Sequence, residues 1–336
     1  MFKSILHLTR RHPVNMKNED RILFEKEFKV TIKRNSYKIL SDVFIQNSKI
    51  KKFKLFRIYT NYWRMGNLKF SDRFLNFFKD LKNVNYYLVS MKTNSIKKGS
   101  WVIDSRSYQY FHFFSDCLQR IYSSKLNKEN QNFLIPENYK YYDYITSTLK
   151  LLKIPHTFYK NDSLYKVDKL ELIPHVAPSG NYDPKIMNKI SSDLRKSIKS
   201  TSADTPRFIW VSRQAASKRT EKNFNDVKLV LKKYKFSIIE FEKLNLEKQF
   251  LIAKNAQIIS GIHGAGLTNM MVMRPESHII EGRGRKDLTN NCFFSMASAL
   301  NINYHYFLCD VENNDYYGDS YNIDTHLLDE AIKNII

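Results

Sequence analysis

The run Ile258-Ile259-Ser260-Gly261-Ile262-His263-Gly264-Ala265-Gly266 limits the folds open to this chain more than any other segment. Five residues that read as a buried strand give way to a turn with glycine at 264 and 266. From there the apolar positions Leu267, Met270 and Met271 recur at helical spacing. Glycine lets backbone approach a ligand closely. The free N–H groups of a new helix, with the positive end of its dipole, attract anions. A second short strand, 278–280, leads to Glu281. Strand, tight turn, helix, strand is the unit of a parallel sheet wrapped by helices, and such sheets bind ligands beyond the carboxyl ends of their strands. The segment therefore reads as a phosphate-binding turn beside a carboxylate suited to sugar hydroxyls.

The rest of the chain supports the α/β class. Short β-like runs at 29–32, 54–59 and 86–90 are followed by a buried strand at 101–104 and a helix over 108–126. A strand at 133–135, a helix at 139–152, and strands at 156–159 and 164–174 continue the alternation. The turn cluster 178–184 precedes a helix at 185–199. Residues 200–206, Ser-Thr-Ser-Ala-Asp-Thr-Pro, are the best linker candidate, which predicts domains at 1–200 and 206–322. In the second, strands at 208–211, 236–241 and 258–262 alternate with helices at 225–234 and 246–254. The amphipathic end, 323–336, is expected to return to the first domain.

Composition narrows the class further. A 43% hydrophobic and 14% aromatic chain can build packed cores, which excludes global disorder. No stretch approaches the roughly 20 apolar residues that span a bilayer, and residues 1–8 are too short and interrupted for a signal-peptide core. Cys117, Cys292 and Cys309 are few, odd in number and far apart, so neither a disulfide framework nor a zinc site is expected, and a reducing cytoplasm fits best. A net charge of +22 calls for polyanionic neighbours unless it is simply a Lys-rich solvated surface. Anionic lipid headgroups are one such neighbour, at about 1 kcal/mol per basic residue. Nucleic acid is another, with the Tyr-rich stretch 139–144 stacking on bases, but that reading leaves the glycine turn unexplained.

Two other groups of residues carry chemistry. Ser212-Arg213, with Arg219 and Asn223 after it, follows a strand, and Arg offers a fixed fork of donors to phosphate oxygens. Either Arg could instead pair with surface carboxylates. In Tyr110-Phe111-His112-Phe113-Phe114-Ser115-Asp116, His112 and Asp116 stand at i and i+4 and would share one helix face. A His oriented by a carboxylate suits a general base for a sugar hydroxyl. The alternative is that Asp116 pairs with Arg120 and His112 merely packs. Likewise His263 could rigidify its turn, and Glu281 could pair with Arg283 or Arg285.

These three blocks, in this order, resemble glycosyltransferase family 61. His263 to Asn269, His-Gly-Ala-Gly-Leu-Thr-Asn, matches the family's signature run without a gap. Ser212-Arg213, Arg219 and Asn223 match a second block, and the aromatic-flanked His112 with Asp116 and Arg120 a third. Gln119 stands where Pro is common, Phe224 where Glu often follows the Asn, and Glu276-Ser277 where Gly often follows the Pro. The resemblance implies a GT-B architecture, two Rossmann-like domains facing each other across a cleft, with acceptor on the first and donor on the second. It implies an inverting enzyme in which His112, aided by Asp116, deprotonates the acceptor hydroxyl. Arg213, Arg219, His263, Gly264, Ala265, Gly266, Leu267 and Thr268 would hold the donor's phosphates and Glu281 its ribose, with Asn223, Asn269 and Arg120 in support. No Asp-x-Asp triplet is present, so no metal is expected. The co-substrate is a nucleotide-sugar, a UDP-sugar before others, and the acceptor a glycan or lipid-linked glycan. The chain looks like the bacterial branch that builds surface polysaccharides, which places it in the cytoplasm against the inner face of the membrane. A catalytically inactive glycan-binding relative is the nearest alternative.

Overall fold

The computed structural model describes residues 5–51, 94–125, 131–199 and 205–336. The runs read as strands at 54–59 and 86–90, and most of the linker at 200–206, lie outside the described residues. The chain is α/β and divides into two compact units. One comprises Asn35–Phe113 and Arg120–His175; the other comprises Phe2–Arg34, Phe114–Gln119 and Val176–Ile336. The division falls at 175/176 rather than at the Ser/Thr-rich run near 200. The helix Pro184–Ser197, capped by the Asp183 carboxylate on the amides of Lys185 and Ile186, packs its Ile186, Met187, Ile190 and Leu194 within the second unit.

The second unit contains an antiparallel pair, β1 (Ile5–Thr9) and β2 (Lys29–Lys33). The first unit holds a mixed six-stranded sheet of β3 (Lys38–Gln46), β4 (Lys49–Lys51), β5 (Asn94–Trp101), β6 (Phe133–Pro136), β7 (His156–Tyr159) and β8 (Tyr165–Leu172). Its order is β4-β3-β8-β5-β6-β7, parallel from β8 to β7 and antiparallel at the β3 side. The strand expected at 101–104 ends at Trp101; Asp104 instead begins a turn that Ser107 closes.

The second unit's main sheet runs β10-β9-β11-β12-β13-β14, from β9 (Phe208–Val211), β10 (Ser237–Ile239), β11 (Ile258–Ile262), β12 (His278–Gly284), β13 (Asn303–Val311) and β14 (Tyr321–Ile323). All neighbours are parallel except the last pair. Every residue of β11 is buried, as a central parallel strand covered on both faces requires. The core joins Trp210, Ile258, Ile262, Ile280 and Phe307 to the helix side chains Val227, Leu231, Leu328 and Ile332. The C-terminal helix Thr325–Lys333 was expected to return to the first domain. Its stripe of Leu328, Ala331 and Ile332 completes this core of the second unit, and its Glu330 pairs with Lys17 at 3.2 Å, in the stretch Phe2–Arg34 that belongs to the same unit.

On neighbouring strands β12 and β13, His278 Nδ1 and His305 Nε2 lie 3.0 Å apart, and His305 is fully buried. Burial, reinforced by His278, holds the His305 imidazole down to about 4 from 6.5. Below pH 6.5 the unfolded chain therefore takes a proton that the fold refuses, and stability falls as pH drops toward 4. The shift corresponds to about 3 kcal/mol. His305→Leu is expected to flatten the dependence of denaturant-induced unfolding on pH across that window; an unchanged slope would assign it to other groups.

Candidate functional site

Within the second unit, β10 follows β9 on one side while β11 lies on the other, so the strand order reverses between β9 and β11. Crevices at such a reversal, beyond the carboxyl ends of the strands, are where open parallel sheets bind ligands. Arg213 lies two residues past the end of β9, and His263-Gly264 directly follow β11. Residues 50 positions apart in sequence are thus brought together by the pairing of Ile259 with Ile209 and Ser260 with Trp210.

Arg213 is half-buried. Its Nε donates to Arg219 O at 2.9 Å and its Nη2 to Lys218 O at 2.8 Å, which closes the loop 213–219 on itself. The remaining nitrogen, Nη1, lies against Gly264: a Cβ added there would stand 2.6 Å from it. Glycine at 264 is thus what lets the guanidinium reach the turn. Burial lowers the Arg213 pKa, and the like charge of Arg219 pushes the same way. An anion placed there would relieve that repulsion. Arg219 adopts a left-handed backbone (φ 56°), a conformation that costs roughly 1–3 kcal/mol and collects at functional sites. Its Nε is buried without a hydrogen-bond partner among the described residues.

The helical turn after β11 is 3-10 rather than α, Ala265–Val272, and Gly264 enters it in extended conformation. Leu267 N already donates to Gly264 O at 3.0 Å. The amides of Ala265 and Gly266 precede the first acceptor a helix can offer them, and both residues are half-buried rather than sealed. Leu267 and Thr268, read as phosphate contacts, are buried, and Thr268 Oγ1 has no partner among the described residues. Asn269 donates to Gln249 Oε1 at 3.2 Å, tying the turn to the helix Leu246–Asn255.

Glu281 differs most from its sequence reading. Its carboxylate is 0% exposed, and both oxygens are taken: His263 Nδ1 lies 2.5 Å from Oε1, and Tyr304 Oη donates to Oε2 at 2.6 Å. A ribose diol would need an exposed carboxylate, so the ribose role does not follow from this placement. The neighbouring Arg283 guanidinium is also buried; although burial opposes its charge, Tyr304, Glu281 and Asp287 raise its pKa. Arg283 donates to Asn291 Oδ1 and Asp287 O. His263 is held further by its backbone N–H, which donates to Gly282 O at 2.8 Å, and by the Phe293 ring, whose centroid is 5.0 Å away. Its Nε2 makes no hydrogen bond with any described residue, so the ring is anchored at one nitrogen with the other available.

Glu221, which sequence reasoning passed over, braces the loop from beneath. Its carboxylate accepts from the Arg213 amide at 3.0 Å, Gln214 Nε2 at 2.9 Å and Trp210 Nε1 at 3.2 Å, and it is buried. The signal was present in the sequence: a lone acid among Lys218, Arg219 and Lys222. Asn223 clamps β14, donating to Ile323 O at 2.8 Å and accepting from its amide at 2.9 Å.

The His112 block divides between the units. The helix expected over 108–126 is α-helical at Tyr110–His112, π-wound at Phe113–Cys117 and α-helical again at Leu118–Lys125. The i→i+5 turn is wider than an α turn, so the face-sharing expected of residues four apart in an α-helix does not apply. In the second unit, Asp116 is buried and accepts from Ser179 Oγ at 2.8 Å. In the first unit, buried Arg120 binds Ile173 O through Nε and Nη2 (2.9 and 2.7 Å), and its Nη1 lies 3.7 Å from Asp104 Oδ2. His175 Nε2 stands 3.2 Å from the same oxygen. Burial opposes charge on Asp104, but His175, the Arg106 amide and Arg120 together hold its carboxyl well below the usual range. Sequence reasoning missed Asp104 and His175, which are 71 residues apart and meet only in the fold.

Among the described residues, no group of three or more His, Cys, Asp or Glu is placed to hold a metal ion, and no helix is long and apolar enough to cross a membrane. No curated protein matches the chain. A family model described as Glycosyltransferase 61 matches residues 110–280, just over half of the chain, from the His112 block to Ile280 within β12.

Proposed function

Because the chain belongs to glycosyltransferase family 61, we propose that it moves a sugar, with inversion, from a nucleotide-sugar to a hydroxyl of a glycan acceptor. The observation that carries this reading is the meeting of Arg213 Nη1 with the Gly264 turn at the strand-order reversal. A departing nucleoside diphosphate develops negative charge, and Arg213, Arg219 and the amides of Ala265 and Gly266 supply preorganised donors to it. In this reading a UDP-sugar binds the second unit in a GT-B arrangement. His112 takes the acceptor's proton, and His263, held by Glu281, faces the phosphates or the reacting sugar. Glu281 then acts through His263 rather than on the ribose, with its Oε1 engaged at Nδ1.

The acceptor is a glycan or lipid-linked glycan of a cell-surface polysaccharide, met at the inner face of the membrane. The net charge of +22 supports that placement through attraction to anionic headgroups. Leaving-group charge is met by guanidinium and amide groups, so transfer is expected to persist in excess EDTA; activity abolished by chelator and restored by manganese would sink that part. The primary test is calorimetric titration with UDP, GDP, CMP and an oligothymidylate. Selective binding of one nucleotide supports the transferase reading, and binding of the oligothymidylate alone overturns it.

A further inference from the structure

Four tyrosines of the first unit form a continuous row. Ring centroids are 5.8 Å apart for Tyr108 and Tyr142, 5.7 Å for Tyr142 and Tyr144, and 5.0 Å for Tyr144 and Tyr110. The row comes from two segments, the turn after β5 into the Tyr110–His112 helix and the start of the helix Asp143–Leu151. It is fixed rather than loose: Tyr144 Oη donates to the Tyr108 carbonyl, and the Tyr139 ring meets Tyr142 edge-on at 6.4 Å. Burial beside Tyr142 and Tyr108 raises the Tyr144 phenol pKa. Yet the row reaches solvent. Tyr108 is 38% exposed, adjoining Tyr141 is 88% exposed, and Tyr110, Tyr142 and Tyr144 are half-buried.

Charge selects among the ligands that such a surface could hold. The chain has 55 basic against 33 acidic residues. The segments bearing the row, 105–110 and 137–144, instead carry Arg106 and Lys140 against Glu137 and Asp143. Lys140 is itself engaged, 2.9 Å from Glu137 and over the Phe158 ring at 5.1 Å. Single-stranded nucleic acid stacks on aromatic rings inside a positively charged groove, whereas these two segments balance two basic residues against two acidic ones. A sugar chain has the complementary chemistry: the C–H face of a pyranose packs on an aromatic ring, and its hydroxyls meet phenolic O–H groups.

We infer that the row Tyr108, Tyr142, Tyr144 and Tyr110 is a subsite for an uncharged stretch of the acceptor glycan. One end of the row, Tyr110, stands two residues before His112 in the same short helix. The inference rests on the glycosyltransferase reading and deepens it.

The test uses the full chain and neutral hexasaccharides of glucan, mannan, galactan and xylan type, with an oligothymidylate as control, read by saturation-transfer NMR and fluorescence titration. At least one hexasaccharide is expected to bind. Tyr108→Ala and Tyr142→Ala should each weaken it by about tenfold, while Tyr142→Phe, which keeps the ring, retains most of the affinity. Nucleoside diphosphate binding by the second unit should be unchanged in all three variants, and an unchanged circular dichroism spectrum and unfolding transition report an intact first unit. Failure of every hexasaccharide, or affinity indifferent to the Ala variants, overturns the subsite. Oligothymidylate binding lost in those variants assigns the row to nucleic acid instead. If a hexasaccharide binds through the row but no nucleoside diphosphate binds the wild type, the glycan site stands and the transferase reading falls.

Discussion

Arg213→Ala is expected to weaken nucleoside diphosphate binding by about 10- to 150-fold, the equivalent of one charge-assisted hydrogen bond of roughly 1.5–3 kcal/mol. Turnover should fall further, because charge on the leaving group is greatest in the transition state. The fold should survive, since Arg213 lies in a loop beyond the carboxyl end of β9 and the core of the sheet includes Trp210, Ile258 and Ile262 without it. Lys is a poor substitute. The guanidinium uses Nε on Arg219 O and Nη2 on Lys218 O while presenting Nη1 to the Gly264 turn, and a single ammonium cannot reach all three directions. Arg213→Lys should therefore recover little. Calorimetry with the nucleotide that the wild type selects reads the effect, and near-normal affinity in Arg213→Ala would remove this residue from the donor site.

Glu281→Ala is expected to cost about 3–5 kcal/mol of stability, the usual result of removing one partner from a buried charged network. It strands the His263 Nδ1 and Tyr304 Oη donors and leaves Arg283 without its neighbour in a fully buried place. Glu281→Gln keeps the shape and most of the stability, but offers one acceptor oxygen where the carboxylate serves two donors. With His263 no longer held, kcat should drop by about 10²-fold or more. The division between constants separates two roles. A ribose ligand would raise KM for the donor, whereas a residue acting through His263 lowers kcat at nearly constant KM. Unaltered kcat in Glu281→Gln would mean that His263 does not need its carboxylate partner.

The α/β class, the parallel sheet around β11 and the helices at 184–197, 224–233 and 246–255 were legible because each has a local cause. Apolar runs of strand length, helical spacing and a cap such as Asp183 act over a few residues. The π turn at Phe113–Cys117 was not legible, since nothing in Phe-Phe-Ser-Asp-Cys differs locally from an α-helical turn. In the second unit, Phe114 packs on Phe250 at 5.4 Å, Asp116 meets Ser179, and Gln119 Oε1 accepts the Asp183 amide. Those partners are 63 to 136 residues away in sequence, so long-range packing rather than local spacing governs this segment. The same cause moved the division between units from the Ser/Thr-rich run to His175.

By itself the sequence determined the family and the chemical types at the site: two arginines, a glycine turn and a His with carboxylates to serve it. Residue type and short spacing encode what a group can donate or accept, and both are local properties. Only the tertiary structure decided which carboxylate serves which base. Glu281 turned inward to His263 and Tyr304 and not outward to a sugar, Glu221 took the loop of Arg213, and Asp104 took Arg120 and His175. Strand register sets the first of those choices: β11 and β12 pair with Gly261 opposite Glu281 and Ile262 opposite Gly282, and a shift of one residue would send the Glu281 side chain to the other face of the sheet.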